Sequence, residues 1–122
     1  MSDDVLLGEG PAGLRRARAL VRERWGGTLP PDRLDTVVLL TSEVVTNAML
    51  HAGGTVRLRL RGLPDRVRVE VRDRSPRLPQ QRRVLDVERV SGRGLHLLRQ
   101  LASRSGADLE AGGKVVWFEV AD

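Results

Sequence analysis

Apolar residues recur along the chain with two different periods, and the change of period divides it. In PAGLRRARALVRERW, residues 11 to 25, Leu14, Ala17, Leu20 and Val21 fall at helical spacing with arginines on the other side. Pro11 suits a first turn, and Gly26-Gly27 stops the helix. Beyond Pro30-Pro31 the spacing predicts a longer helix from about Asp32 to His51, closed by Gly53-Gly54. At about 100° per residue, Leu34, Val37, Val38, Thr41, Val44, Val45, Ala48 and Met49 cover one broad arc. Glu43 and Asn47 fall together on another, with His51 a turn further and at its edge.

The period then shortens to two. TVRLRLRG places Val56, Leu58 and Leu60 on one face and arginines on the other, and RVRVEVRD repeats the alternation through Val67, Val69 and Val71. With a short turn at Leu63-Pro64-Asp65 this predicts a β-hairpin with one buried face. Facing arginines repel across such a ladder, and Glu70 relieves part of that. From Arg74 to about Gly92 two prolines interrupt a stretch without period, the length of a lid or binding loop. GRGLHLLRQLASRSG resumes helical spacing at Leu95, Leu98, Leu101 and Ala102, and ADLEAGGKVVWFEV reads as a second hairpin turning near Gly112-Gly113. Helix, helix, hairpin, loop, helix, hairpin is the order of an α+β protein. It predicts a two-layer α/β sandwich with helices on one face of a largely antiparallel sheet.

Length and composition narrow this further. A chain of 122 residues is expected to form one domain. Aromatic rings are confined to Trp25, Trp117 and Phe118, so the core must be built from Val, Leu and Ala. No cysteine is present, which excludes disulfides and thiolate metal sites. No apolar run is long enough to span a bilayer, and MSDDVLLGEG lacks the basic start and apolar stretch of a leader; a cytoplasmic location is expected. The formal charge of +5 raises nucleic-acid binding as a reading, but the arginines are scattered, without a basic run or rings for base stacking. The local surplus is in residues 74–93, where six arginines face only Asp86 and Glu88.

Four features carry candidate chemistry. Glu43 and Asn47, four residues apart, present a carboxylate and an amide on one helix face; these are groups suited to proton abstraction and to ligation of a hard cation. Asp73 closes a hairpin strand and is expected in the outward register of Arg57 and Arg59, if pairing extends that far, where it could accept from an exocyclic amine. Gly92-Arg93-Gly94 opens a helix, whose first N–H groups suit phosphate. The arginine-rich segment before it could close over polyphosphate. Taken singly, each also fits a blander role: a solvated helix face, a turn-former, a helix start, an exposed loop. His51 and His96, the two histidines, lack a third ligand at zinc spacing. No Ser-His-Asp context is apparent either.

In combination and in this order, SEVVTNAMLHAG, VEVRD, SGRGLHLLRQLA and GGKVVWFEV resemble the N-box, G1 box, G2 box and terminal hairpin of the GHKL (Bergerat-fold) ATP-binding domains. The likeness is closest to the small serine-protein-kinase anti-sigma factors, and it covers about the whole chain. The resemblance implies a single ATP-binding domain over residues 1–122, with a lid at about 74–92. It implies Glu43 as the base that takes a proton from a partner's serine, and Asn47 as the Mg²⁺ ligand. Asp73 would accept the adenine amino group, and Gly92, Arg93, Gly94 and Leu95 would surround the phosphates. ATP and Mg²⁺ are the implied cofactors. A sigma factor and an anti-anti-sigma (STAS-domain) protein are the implied partners, with a homodimer as a family expectation. The implied activity is that of a serine/threonine protein kinase; the alternative is a non-catalytic interaction module of the same fold. Two positions depart from the pattern. Asp73 is followed by Arg-Ser-Pro-Arg where Asp-x-Gly-x-Gly is common, and valine stands at Val115-Val116 where a threonine often helps bind adenine.

Overall fold

The computed structural model describes residues 4–52, 55–74, 93–110 and 112–121. In chain order these form β1 (Val5–Leu7), α1 (Gly10–Trp25), α2 (Pro31–Ala52), β2 (Val56–Leu63), β3 (Arg66–Asp73), α3 (Arg93–Leu101), β4 (Arg104–Glu110) and β5 (Gly113–Ala121). The strands make one antiparallel sheet in the order β1-β2-β3-β5-β4, so the long central pair is β3 and β5. α2 packs on β2, β3 and β5, and α1 and α3 pack on α2. The α+β two-layer architecture expected from the sequence is present.

Each element follows from its own pattern. On α1, Gly13, Ala17, Val21 and Trp25 form a buried stripe at i, i+4 spacing, and its small residues let α1 lie close to α2. Arg18 Nε donates to Ser42 Oγ at 2.8 Å and ties the two helices together at their margin. The core holds the alternate residues Val56, Leu58 and Leu60 of β2, Val67, Val69 and Val71 of β3, and Val116, Phe118 and Val120 of β5. Against them lie Val37, Val38, Leu40, Val44, Val45 and Ala48 of α2. Phe118 is the largest side chain removed completely from water.

The opposite face of the sheet is a lattice of arginine and glutamate. Arg57 sits directly across from Arg72, and Arg61 from Arg68, the like-charge pairs that alternation predicts. Two nearly buried carboxylates relieve them. Glu70 accepts from Arg68 at 2.7 Å and Arg72 at 2.9 Å; Glu119 accepts from Arg66 at 2.9 Å and Arg68 at 2.8 Å. The Arg68 guanidinium also lies 4.1 Å over the Trp117 ring, a cation–π contact that fixes its plane. Burial alone would raise both carboxyl groups. The surrounding arginine hydrogen bonds and charges outweigh that and hold both below the ordinary carboxylate range.

Three elements differ from the pattern-based expectation. β1 was not anticipated, because a three-residue apolar run without alternation carries no period. β4 begins at Arg104, earlier than the apolar residues suggested, because Ser103 N already donates to Glu119 O at 2.8 Å and brings the chain onto the sheet. Leu101 is exposed although it shares helical spacing with Leu98, since α3 ends there. The segment 75–92 and the tip Gly53-Gly54 lie outside the described residues.

Two outcomes test this packing. Among the described residues, Thr41 Oγ1 is buried with no hydrogen-bond partner. The isosteric change Thr41→Val should therefore raise stability by about 1 kcal/mol in urea unfolding, by removing an unsatisfied polar atom. The lowered carboxyl groups of Glu70 and Glu119 contribute stability that is present above the unfolded value near about pH 4 and is lost as pH falls through their depressed folded values. Wild type and Glu119→Gln should accordingly differ in unfolding free energy at pH 7 and converge as pH falls through the depressed folded value.

Candidate functional site

Helix α2 packs on β2, β3 and β5, and two of its polar residues, Thr41 and Asn47, are buried with the valines. Asn47 is 8% exposed and counts with the buried residues. It stays on the helix face it shares with Glu43, at the edge that meets the sheet. Asn47 follows Val44 by three positions and precedes Ala48, so it turns toward β3 with them, whereas Glu43 remains half-buried at the helix margin.

The expected outward direction of Asp73 is corrected. Pairing does reach it, since Val56 is its partner on β2 and Lys114 its partner on β5. Its parity is that of Val67, Val69 and Val71, so it points to the helix side and not outward with Arg57 and Arg59. The strand ends with a carboxylate inside the protein, and its side chain is 2% exposed.

The two residues meet. Asn47 and Asp73 line one narrow cleft with Lys114, and the remaining wall is apolar: Val44, Ala48, Val71 and Val116. Its open volume is about 10 Å³, enough for one water. Inside it Lys114 Nζ donates to Asp73 Oδ2 at 2.6 Å, with the lysine side chain 12% exposed. This is a short charge-assisted bond between two groups largely withdrawn from water. Sequence reasoning missed Lys114. The signal was available, because parity with Val116, Phe118 and Val120 puts it on the inner face, where an ammonium requires a carboxylate.

The other expected site residues are placed less fully. Arg93, Gly94 and Leu95 form the first turn of α3, which packs on α2, while Gly92 lies outside the described residues. The arginine-rich segment also lies outside them, apart from Arg74, which is exposed. Val116 lines the cleft and Val115 faces the opposite side of the sheet, so only the former bears on the pocket. Among the described residues no three His, Cys, Asp or Glu side chains cluster as metal ligands, and no helix is long and apolar enough to cross a membrane. A larger groove of about 520 Å³ opens elsewhere, between the start of α1 and the end of α2, lined mainly by apolar groups such as Leu14, Met49 and Leu50.

With this geometry in view, the model of the histidine kinase-like ATPase domain matches residues 9–120. Among solved structures, the chain is similar to one in the SiaB–SiaC complex from Pseudomonas aeruginosa, with a TM-score of 0.61 and 11% identity over 98% of this chain and 89% of that one. At that identity the likeness is one of fold. No curated protein matches the sequence.

The histidine kinase-like ATPase family implies ATP, usually with Mg²⁺, and the cleft can be tested for both. The donor set fits: an amide carbonyl is a ligand for a hard cation, and a carboxylate is an acceptor for an amine. Among the described residues the cleft encloses about 10 Å³, with Lys114 as one of its walls.

Close approach at the strand ends holds the cleft together. A Cβ at Gly113 would run into the backbone carbonyl of Asp73 and the Cα of Arg74, neither of which can rotate aside. Gly113→Ala should therefore lower stability by about 1–3 kcal/mol, read from urea unfolding followed by circular dichroism.

Proposed function

The chain belongs to the histidine kinase-like ATPase family, and on that premise we propose that it is an ATP- and Mg²⁺-binding regulatory protein kinase of the anti-sigma-factor kind. In this reading residues 1–122 act as one nucleotide-binding domain. It holds a sigma factor and phosphorylates a serine of an anti-anti-sigma (STAS-domain) protein. The observation that carries it is the convergence of Asn47 and Asp73 on one cleft, although they are separated in sequence by a helix end and a hairpin.

Roles follow from position. Asn47, buried with its amide at the cleft, serves as the Mg²⁺ ligand. Asp73 is the acceptor for the adenine amine. Glu43 stands one helical turn before Asn47 and is half-buried, so it can reach a proton on a partner's serine hydroxyl without being sealed from it. The first turn of α3, Arg93 to Leu95 with Gly92 before it, supplies backbone N–H groups for phosphate. The nucleotide, when bound, provides the phosphoryl group; positioning and charge stabilisation are the protein's part. That the SiaB–SiaC complex contains a chain of similar fold is consistent with a domain that works by holding a protein partner.

A second reading has its own observation. With Lys114 on Asp73 and room for one water, the same fold could serve as a non-catalytic module that holds its partner and binds nucleotide weakly or not at all.

Titration calorimetry with Mg-ATP separates the two. Binding is expected in the micromolar to millimolar range, and no heat at several millimolar nucleotide would leave only the second reading. In a radiolabel transfer assay with a STAS-domain partner, Glu43→Ala should lose at least about a hundredfold in rate with affinity retained. Asn47→Ala should remove the dependence of binding on Mg²⁺. Equal loss of affinity in both variants would contradict the roles assigned.

A further inference from the structure

The sheet ends on β4, and we propose that a second copy of the chain pairs with this edge, strand against strand, about a twofold axis through Ala107. Exposed edges are normally blunted by shortness, a bulge, proline, lysine or a charge pointing inward. The opposite edge, β1, is three residues long. β4 has seven, without proline or lysine, and its register against β5 runs from Arg104–Glu119 to Glu110–Gly113 with no bulge. Its inner positions, Ser105, Ala107 and Leu109, are uncharged, and Leu109 is 54% exposed. Among the described residues no strand occupies its far side.

The charges that β4 does carry fit a second β4. Residues directly opposite in an antiparallel pair share a face, so outer positions must meet outer ones. The register centred on Ala107 does this and uses all seven residues. Arg104 then faces Glu110 of the second copy, Glu110 faces its Arg104, and Leu109 lies against its Ser105. A shift by two residues one way sets Asp108 against Asp108; the other way leaves Leu109 and Glu110 with no strand residue opposite. Both charged groups are accessible. The Arg104 side chain is 65% exposed, though 3.7 Å from Glu119, and that of Glu110 is 41% exposed, though Arg72 donates to it at 3.2 Å.

Gly106 completes the match. The Trp117 ring lies over it, with the indole nitrogen 2.9 Å from where a Cβ would stand. Asp108 of the second copy comes directly opposite Gly106, so its carboxylate is set to accept from the indole N–H. One strand pair is a small interface, so the dimer forms at high protein concentration, and its exposed ion pairs weaken with salt. The pairing needs no nucleotide.

Sedimentation velocity of the whole chain over about 0.01–1 mM should show a reversible monomer–dimer equilibrium. Arg104→Glu sets glutamate against glutamate and Glu110→Arg sets arginine against arginine, so each alone should associate at least about tenfold more weakly. An equimolar mixture of the two restores opposite charges at both pairs and should associate as tightly as wild type. Thermal melts establish that each variant is folded. In wild-type spectra the indole N–H resonance of Trp117 should shift as the dimer fills while that of Trp25 stays, and this decides if a variant does not fold. Wild type that remains monomeric at about 1 mM overturns the pairing and leaves the edge to a strand of another protein. Dimers indifferent to both substitutions, a mixture of folded variants that stays monomeric, or a Trp117 resonance unmoved by dimerisation each overturn it as well.

Discussion

Helix α2 can lie on the sheet in only one rotation, because Val37, Leu40, Val44 and Val45 must leave water together against Val69, Val71, Val116 and Phe118. That constraint decides the fate of every polar residue on the helix. Asn47 lies between Val44 and Ala48 in sequence and goes down with them; Glu43 does not. At about 25 cal/mol per Å² of apolar surface, seating these side chains outweighs the cost of burying one amide that still faces a polar cleft. The candidate site is thus a consequence of core packing. A helix rotated far enough to return Asn47 to water would expose the valines that hold it to the sheet.

The two faces of the sheet solve opposite problems. The inner face is almost wholly aliphatic, so its order comes from shape. The outer face is crowded with arginine, where like charges stand directly across from one another at Arg57–Arg72 and Arg61–Arg68. Glu70 and Glu119 resolve this by each binding several arginines at once, and a network of this kind holds its geometry better than an isolated surface pair. Its effect on function is indirect. Arg68 and Arg72 alternate with Val67, Val69 and Val71 on one strand, so anchoring the outer arginines also anchors the register that delivers Asp73 to the inside.

Period was enough to read most of the fold. The 3.6-residue stripes of α1 and α2 and the strict alternation of β2 and β3 are long, unbroken signals, and the structure places those elements within a residue or two. β1 was invisible because three residues cannot express a period, and the start of β4, Arg104 to Gly106, read as the end of the preceding helix because it carries no alternating apolar residues. At the site, residue types were legible and directions less so. Asn47 shares the face of Glu43 in the sequence, and only the packing of α2 on the sheet decides that its edge of that face is buried. The direction of Asp73 follows from counting by two from Val67, a count that a terminal carboxylate discourages because burying it requires a partner. The partner was forty-one residues away on another strand, and only the register Asp73–Lys114 brings them together.

A buried ion pair is poor evidence of stability, since well-packed apolar residues commonly do as well, but breaking one half of it is costly. Asp73 and Lys114 should be weighed in that light. An apolar pair would close the end of the sheet as effectively, but it would not fix which residues of β3 and β5 meet there. The charged pair does, because only the register that sets Asp73 against Lys114 lets both side chains leave water together.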